Sequence, residues 1–371
     1  MADRAWDVPV AGGEDDRNTS AVGRRRPTLH DVAREAGTSR STASRALSGQ
    51  GYVAAHIRAD VLAAAQRIGY VPDALARTLK GQRSNVVGLL VSDLRNQFYA
   101  ELAAGVEQAL RAAGYQMVLV DDHGDPGQEL DGAKAFVAMR ATGVVLTPAA
   151  AAATELLVER GVSVVEADRR SGARGCDSVV IDSEHGAREA TEHLLDLGHR
   201  RIALLIDETK WATGAERLRG YRAAHRAAGV PVDRRLVLDL EFQAADARSR
   251  VAELLDSHPD VTAIFAVNNL MAETVWLELR RRGLAVPRDV SLVSFDDLAW
   301  MRMVEPGLTA VAQPTYEMGR RAAELLLRRI AEREAAAEPK RGRAGRRIQE
   351  TLDPTLVLRG STAAPAGSAR A

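Results

Sequence analysis

Residues 28–50 read TLHDVAREAGTSRSTASRALSGQ, and this stretch predicts two short helices joined by a tight turn. Thr28 is placed to cap the first helix, with Asp31 three residues later as the acidic partner of a capping box. Gly37 suits the left-handed turn that ends this helix, and Ser39 can cap the second. The pattern is the outline of a helix-turn-helix, a motif whose second helix enters the major groove of DNA. Two adjacent amphipathic helices in a soluble bundle would show a similar sequence pattern. The residues around this stretch therefore have to decide between the two interpretations.

Charge is distributed unevenly along the chain. The formal net charge of the 371 residues is zero, but residues 24–80 carry ten Lys and Arg against four Asp and Glu, a formal +6. The remainder carries 40 basic and 46 acidic residues, a formal −6. A small basic helical unit suits contact with DNA phosphates. A solvated charged face is the alternative interpretation.

A third helix and a short segment follow. Residues 53–73 predict the third helix, which Gly69 and Pro72 end. The segment at 73–82, DALARTLKGQ, has Leu75 and Leu79 four residues apart. It is too short to be stable alone because helix nucleation is costly, so something else has to order it. A plain linker turn is the alternative.

The chain from residue 85 onward alternates apolar, β-branched runs with amphipathic helical stretches. Strands are predicted at 86–91, 116–121, 144–147, 162–167, 179–181, 202–206, 263–267 and 291–295. Helices are predicted at 98–113, 186–197, 216–228, 245–255, 269–282 and 315–334. Alternation of this kind indicates parallel sheets covered on both faces, and about 280 residues suffice for two such lobes. Ligands bind at the carboxyl ends of parallel strands, so a cleft between two lobes suits a small molecule.

The cysteine content and the hydropathy of the chain argue against a secreted protein and against a membrane protein. One cysteine, Cys176, excludes a disulfide within the chain and fits a reducing cytosol. Residues 1–26 lack the apolar stretch of a signal peptide, and no run of 18 apolar residues is present, so we expect a cytoplasmic protein without a membrane span.

Motifs of catalysis are also missing. We find no phosphate loop, no nucleophile elbow and no zinc-binding His pair, and we expect no enzyme, no cofactor and no metal. Asp121-Asp122-His123 is interpreted as an ordinary loop, and the alanines at 149–153 as low complexity.

Many ordered motifs resemble the LacI/GalR family of transcriptional regulators. Besides residues 28–47, they are 69–72 (GYVP), 76–81 (ARTLKG), 181–182 (ID), 197–202 (LGHRRI), 216–221 (ERLRGY), 286–287 (VP), 289–296 (DVSLVSFD), 308–309 (LT) and 356–361 (LVLRGS). Only residues 1–26 and the last part of the chain fall outside this resemblance.

The resemblance implies a fold and its boundaries. It implies an N-terminal all-α helix-turn-helix headpiece and an α/β body of two Rossmann-like lobes of the periplasmic-binding-protein type. The expected segments are a disordered arm at 1–26, the headpiece at 27–72, a hinge helix at 73–82, the effector-binding and dimerisation domain at 83–361, and a disordered tail at 362–371. One lobe would contain about 83–183 with 314–345, and the other about 184–313 with 346–361, because the chain would cross near 183, 313 and 346.

The resemblance also implies which residues touch DNA. Arg40, Ser41 and Arg45 would face base edges, and Thr28, Thr42 and Ser44 would mainly hold phosphates. Leu79, flanked by Ala76 and Lys80, would be pushed into the minor groove at the operator centre, and paired hinges of a dimer would order each other. Two departures from the family pattern are Ala54, where Ser or Thr usually caps the third helix, and Ser48, where Asn is usual.

Ten positions match effector contacts of the family. They are Phe98, Tyr99, Asp168, Trp211, Thr213, Arg217, Phe242, Asn268, Asn269 and Asp296. An Arg, two carboxylates, amides and aromatic rings suit a sugar or glycoside, and a purine-like or other small metabolite is the alternative. Arg217 and Asp296 could instead form only an internal salt bridge, Phe98 could be simple core packing, and Trp211 could be a surface anchor.

These implications lead to an expected function. The chain would be a repressor that binds a pseudo-palindromic operator as a homodimer under allosteric control by a small molecule, acting as inducer or co-repressor. A dimer is favoured over a tetramer because the tail lacks apolar heptads. The alternatives are a solute-binding protein, which would need an export signal, and an α/β enzyme.

Overall fold

A computed structural model describes residues 27–49, 51–71, 84–207, 211–240, 247–336 and 347–366. The chain divides into two compact units, Met1–Arg83 and Ser84–Ala371, which we call the headpiece and the body. The expected arm at 1–26 and hinge helix at 73–82 lie outside the described residues, and so does the end of the chain from 367.

The described part of the headpiece contains the helices α1 Leu29–Glu35, α2 Arg40–Ser48 and α3 Ala55–Ile68. The predicted capping box is formed: the Thr28 amide donates to the Asp31 carboxylate at 2.8 Å, and the Asp31 amide donates to the Thr28 hydroxyl at 3.4 Å. Ser39 caps α2, and Gly37 has a φ of 60° in the turn between the helices. The local signals in residues 28–50 therefore fix both helices.

The core of the headpiece is small and made of short side chains. Val32, Ala43 and Val61, one from each helix, are completely buried. Short side chains let three short helices approach closely enough to bury one continuous cluster. Ala54 occupies the N-cap position of α3 and makes no side-chain hydrogen bond to the helix, as expected from its methyl side chain. The loss of an N-cap typically lowers the stability of a protein by about 1 kcal/mol.

Lobe 1 of the body is one doubly wound sheet. Its strands are β1 Val86–Val91, β2 Gln116–Asp121, β3 Gly143–Leu146, β4 Ser163–Asp168, β5 Asp177–Ile181 and β11 Gln349–Leu352. They lie in the order β11-β5-β4-β3-β1-β2, and all neighbours are parallel. Helices α4 Gln97–Ala112 and α12 Thr315–Ala336 contact each other and the sheet, and α5 Pro126–Ala138 and α6 Ala151–Glu159 pack against a separate apolar cluster.

Lobe 2 repeats this strand order. Its strands are β6 Ile202–Asp207, β7 Val237–Leu240, β8 Ala263–Ala266, β9 Ser291–Phe295, β10 Thr309–Ala312 and β12 Thr355–Val357, in the order β12-β10-β9-β8-β6-β7. Its helices are α7 Ser183–Asp196, α8 Ala212–Ala227, α9 Ala247–Ser257, α10 Asn269–Arg282 and α11 Ala299–Met303. Only β12 runs antiparallel to its neighbour among these strands. In both lobes the first strand lies between the second and the third, and such a switch point is where doubly wound sheets bind ligands.

The chain crosses between the lobes three times. The first two crossings follow β5 and β10, near Asp182 and Gln313, as the resemblance implies. The third crossing expected near 346 is wrong, because Gln349–Leu352 pairs with β5 in lobe 1 and the chain crosses only at Asp353 and Pro354. Strand β11 is a half-exposed edge strand, so it lacks the apolar run that would have marked it in the sequence.

The expectation that residues 362–371 form a disordered tail is wrong for the first of them, which are held by hydrogen bonds. The amide of Ala363 donates to Ser291 Oγ at 3.1 Å, and its carbonyl oxygen lies 2.9 Å from Nε2 of His199. Ser361 is fully buried and donates to the Leu292 carbonyl at 2.6 Å. The segment is held because it supplies partners to polar groups at the start of β9.

The eight strands predicted for the body are all present, with small shifts at their ends. The interpretation of residues 149–153 as low complexity is wrong for 151–153, because α6 begins at Ala151. Glu129 of α5, completely buried, accepts hydrogen bonds from the amides of Ala149 and Ala150 and so serves the start of α6. A cap that comes from another helix leaves no local sequence signal.

Candidate functional sites

The exposed side of α2 is basic and rich in hydroxyl groups. Arg40, Ser41 and Arg45 are exposed, and Thr42 and Ser44 are half-buried. Neither arginine has an ion pair among the described residues, and α2 contains no acidic residue. Arg40 stands in the first turn of α2 and Arg45 in its last turn. Exposed guanidinium groups of this kind suit phosphates and base edges.

Hydrogen bonds arrange the start of α2. Ser39 Oγ accepts from the Thr42 amide at 3.1 Å and lies 2.8 Å from Ser41 Oγ and 2.9 Å from Thr42 Oγ1. The three hydroxyl groups are thus held side by side at the end of the helix that carries the positive end of its dipole.

Other predicted DNA-binding residues have different outcomes. The Thr28 hydroxyl donates to Asp31 at 2.7 Å, so it already serves the cap of α1. Ala76, Leu79 and Lys80 lie outside the described residues. Sequence reasoning passed over Tyr52, whose side chain is 90% exposed just after α2. An exposed large aromatic residue this close to α2 in the sequence adds a candidate contact.

The cleft between the lobes contains a buried polar network. Asn269 Nδ2 donates to Asn96 Oδ1 of lobe 1 and to Asp296 Oδ2 of lobe 2, both at 2.9 Å. Gln313, at the second crossing, donates to Asp296 Oδ1 at 2.5 Å. The network joins the two lobes and one connecting segment, so a ligand that rearranges it would change how the lobes meet.

Arg217 lies beside this network on α8 and is almost fully buried. Its Nη1 donates to the Val267 carbonyl at 2.6 Å, and its guanidinium lies 3.9 Å from the centre of the Phe295 ring. Its Nε has no hydrogen-bond partner within the described part of the chain. Arg217 and Asp296 form no ion pair with each other, so the internal salt bridge considered from the sequence is wrong.

Arg169 is a buried cation that sequence reasoning missed. Its Nε donates to the Pro148 carbonyl at 2.8 Å, Nη2 donates to Ser92 Oγ, and Nη1 lies 3.6 Å from the carboxylate of Asp168. Its guanidinium lies 4.3 Å from the centre of the Trp211 ring, which belongs to lobe 2. Two arginines directly after the strand that ends at Asp168 were the available signal.

Two buried acids stand behind Arg169. Burial raises the pKa of Asp122 to about 6, although the Gly124 amide donates to it, and burial raises the pKa of Glu129 to about 7. Burial also raises the pKa of the Tyr99 hydroxyl, against the opposing effect of the Arg169 charge. Asp122 and His123 lie in the loop after β2, as interpreted, whereas Asp121 is the last residue of that strand; Asp122 is completely buried in this loop.

The remaining predicted effector residues differ in their surroundings. Thr213 is buried in the first turn of α8, one helical turn before Arg217. Phe98 packs edge-on against Tyr99 at 5.1 Å within the lobe 1 core, which supports its core-packing interpretation. Asn268 Oδ1 accepts from the Met271 amide at 2.8 Å and caps α10. Phe242 lies outside the described residues.

A cavity of about 420 Å³ lies where the lobes meet. Phe98 of lobe 1, Asp296 of lobe 2 and Gln313 of the crossing segment contribute to its wall. This volume is in the range of small-molecule sites. The structure thus brings Phe98 and Asp296, which are far apart in the sequence, to one cavity.

Two negative observations apply to the described part of the chain. No group of three or more His, Cys, Asp or Glu side chains there could hold a metal ion. None of the described helices combines the length and hydrophobicity that crossing a bilayer requires.

A basic helix-turn-helix unit in the same chain as a two-lobed body with a polar cleft defines a ligand-controlled DNA-binding protein. Residues 28–73 match the family of bacterial regulatory proteins, lacI family. Residues 84–353 match the periplasmic binding proteins and sugar binding domain of the LacI family.

Individual proteins that are similar to this chain are also transcriptional regulators, in agreement with the two family matches. The chain is 33% identical to the HTH-type transcriptional regulator DegA of Bacillus subtilis (strain 168) over 90% of this chain and 98% of DegA. It is 32% identical to the ribose operon repressor of the same organism, over 81% of this chain and 90% of that protein. The solved structure of the transcriptional regulator CelR–cellobiose complex superposes with a TM-score of 0.65 at 34% identity. The match covers 91% of this chain and 100% of the chain in that structure.

The chain belongs to the LacI family of bacterial regulatory proteins. It is a DNA-binding transcriptional regulator under the allosteric control of a small-molecule effector.

Proposed function

We propose that this regulator is a cytoplasmic repressor that binds a pseudo-palindromic operator as a homodimer, and that a sugar or glycoside in the interlobe cleft controls its affinity for that operator. The observation that carries the effector part is the cleft network of Asn96, Asn269, Asp296 and Gln313, with Arg217 beside it.

The DNA contacts of this proposal start from α2. Arg40, Ser41 and Arg45 read base edges, and Thr42 and Ser44 hold phosphates together with Thr28 at the start of α1. Support comes from the exposure of both arginines and from the hydroxyl groups clustered at the N-terminus of α2. In the hinge, Leu79 enters the minor groove at the operator centre, with Ala76 and Lys80 on either side.

The chemistry of the cleft favours a sugar. A sugar hydroxyl both donates and accepts, so it suits a site where carboxylates, amides and a guanidinium lie together. We expect Trp211 and Phe98, together with Phe242 outside the described residues, to supply apolar faces for the carbon face of a pyranose. Two of the relatives are a ribose operon repressor and a regulator solved with cellobiose, which makes saccharides the first candidates.

The control would act through the relative position of the lobes. A ligand that closes the cleft rotates lobe 1 against lobe 2 and changes the spacing of the two hinges in a dimer. The coupling between the sites is reciprocal and on the order of 1–3 kcal/mol. The effector acts as an inducer if the closed body separates the hinges and as a co-repressor if it brings them together.

A ligand screen followed by DNA binding tests this proposal. Thermal shift of the purified chain against mono- and disaccharides, with purine bases as a second panel, identifies ligands, and the affinity for a selected operator is then measured with each hit. A saccharide that raises the melting temperature and changes operator affinity is expected. Hits confined to purine bases would replace the sugar, and hits that leave operator affinity unchanged would contradict the control mechanism.

The dimer has a separate test. Sedimentation equilibrium is expected to give the mass of two chains, because two headpieces are needed for the two half-sites of a pseudo-palindromic operator. A mass of four chains would contradict the homodimer.

A further inference from the structure

Trp211 connects the two lobes through its side chain. The residue stands at the N-cap position of α8 in lobe 2 without a side-chain cap hydrogen bond, and its ring contacts two loops of lobe 1. On one side the Arg169 guanidinium lies 4.3 Å from the ring centre. On the other, a Cβ placed on Gly124 would lie 3.2 Å from Cζ2 of the ring, so the Gly124 backbone is in close contact with it.

Arg169 offers the ring a fixed surface. Its nitrogen atoms donate to Pro148 at 2.8 Å, to Thr147 at 3.4 Å and to Ser92, and the side chain is almost fully buried. These bonds run in the plane of the guanidinium and anchor it to the carboxyl ends of β1 and β3. A planar cation whose edges are occupied still has a face available for an aromatic ring.

Gly124 is equally well fixed. It has a φ of 69°, which favours glycine, and its amide donates to Asp122 Oδ1 at 2.8 Å. Any side chain at this position would have to push against the Trp211 ring. The slot for the ring is therefore built from a rigid backbone segment and a rigid cation, both belonging to lobe 1.

We propose that Trp211 is an interlobe latch: its ring docks between Arg169 and Gly124 and holds the two lobes in their ligand-free arrangement, and an entering effector has to displace it. Arg169 is then a positioning residue for the latch. The proposal rests on the proposed function, since it assigns a regulatory contact to the same cleft. The group that replaces the ring on Arg169 has to present a flat, apolar face.

Hydrogen–deuterium exchange of the full chain, without DNA or effector, tests the latch. In Trp211→Ala, amide exchange in the lobe 1 segments 121–125 and 147–150 is expected to rise by roughly three- to tenfold, the range of a lost cation–π contact. Trp211→Phe keeps an aromatic face and is expected to give a smaller rise.

Trp300→Ala is the matched control. It removes the same ring from lobe 2, where Trp300 packs against the core of that lobe, and it is expected to leave exchange in both lobe 1 segments unchanged.

The latch is overturned if Trp211→Ala leaves lobe 1 exchange unchanged, if Trp300→Ala raises it equally, or if Trp211→Phe behaves like Trp211→Ala. Exchange in the ligand-free protein does not depend on effector control of operator binding. Each proposal can therefore fail while the other stands.

Discussion

Asp168 and Asp296 occupy matching places in the two lobes and share one unusual backbone conformation. Asp168 ends β4, Asp296 directly follows β9, and β4 and β9 are each the fourth strand of their lobe along the chain and occupy the same place in the strand order. Their φ angles are 68° and 71°, in the left-handed region that non-glycine residues rarely adopt. Strain of this kind costs on the order of 1–3 kcal/mol and is concentrated at ligand sites. The pair therefore marks both walls of the cleft, and its positions support the effector site independently of any single side-chain contact.

Arg217→Ala is expected to abolish the response of operator binding to effector while leaving operator affinity without effector unchanged. The reason is that Arg217 lies in the cleft, buried over Phe295, and not in the headpiece. Operator titrations with and without the ligand identified by thermal shift check this. Arg222→Ala, on an exposed position of the same helix, is the control and should respond like the wild type. A normal response in Arg217→Ala would remove the residue from the site.

Arg45→Ala is expected to weaken operator binding by about 1–3 kcal/mol and to relax the preference at one base pair, because a bidentate base contact is lost. Binding to the operator and to its single-base-pair variants checks this. Arg67→Ala removes the same charge from α3, where Arg67 pairs with Glu35 at 3.2 Å, and should have a much smaller effect. If Arg45→Ala weakens every sequence equally, the residue holds a phosphate instead.

Leu79→Ala is expected to reduce operator affinity and bending while effector binding is retained. A leucine wedge unstacks one base step, and burial of a leucine side chain contributes about 1.5–3 kcal/mol. Energy transfer between dyes at the two ends of the operator duplex measures the bend. Leu75→Ala, four residues earlier in the sequence, is the comparison and should bend DNA normally. An unaltered bend with Leu79→Ala would show that the wedge lies elsewhere.

Asp122 gives the body a predictable pH dependence. Burial raises the pKa of this carboxyl group to about 6, so between about pH 4 and 6 the folded protein binds more protons at Asp122 than the unfolded chain does. The contribution of Asp122 to the free energy of unfolding therefore falls as pH rises through this window, by up to about 3 kcal/mol, and stays low above it.

Asp122→Asn removes this titration. Relative to the wild type, the variant is expected to become progressively more stable from pH 4 to pH 7, which urea unfolding at four pH values would measure. A stability difference that does not change with pH would mean that Asp122 titrates normally.

The headpiece and the alternation of the body were predictable because their signals are local. Thr28 with Asp31, Ser39, and Gly37 each act within a few residues, and each has its expected role in the structure. Most predicted strands of the body are apolar runs in the middle of sheets, where burial on both faces leaves a strong pattern. The exception is β2, a half-buried edge strand.

The sequence left out what depends on neighbours that are distant along the chain. The contact of Arg169 with Trp211 exists only because β4 and the start of α8 meet across the cleft. Strand β11 joins lobe 1 through its pairing with β5, and Ala363 is held by Ser291 of β9. None of these contacts has a period or a spacing that a single sequence could display.

In this regulator a basic helix-turn-helix headpiece is proposed to read DNA under the control of a metabolite-binding cleft. Selection of the purified chain against random duplexes at moderate salt, with and without the ligand from the thermal-shift screen, measures both properties in one experiment. Enrichment of one palindromic sequence over scrambled competitor is expected, with an affinity that changes roughly five- to 150-fold when ligand is added. Equal binding to palindromic and scrambled duplexes in both conditions would contradict it.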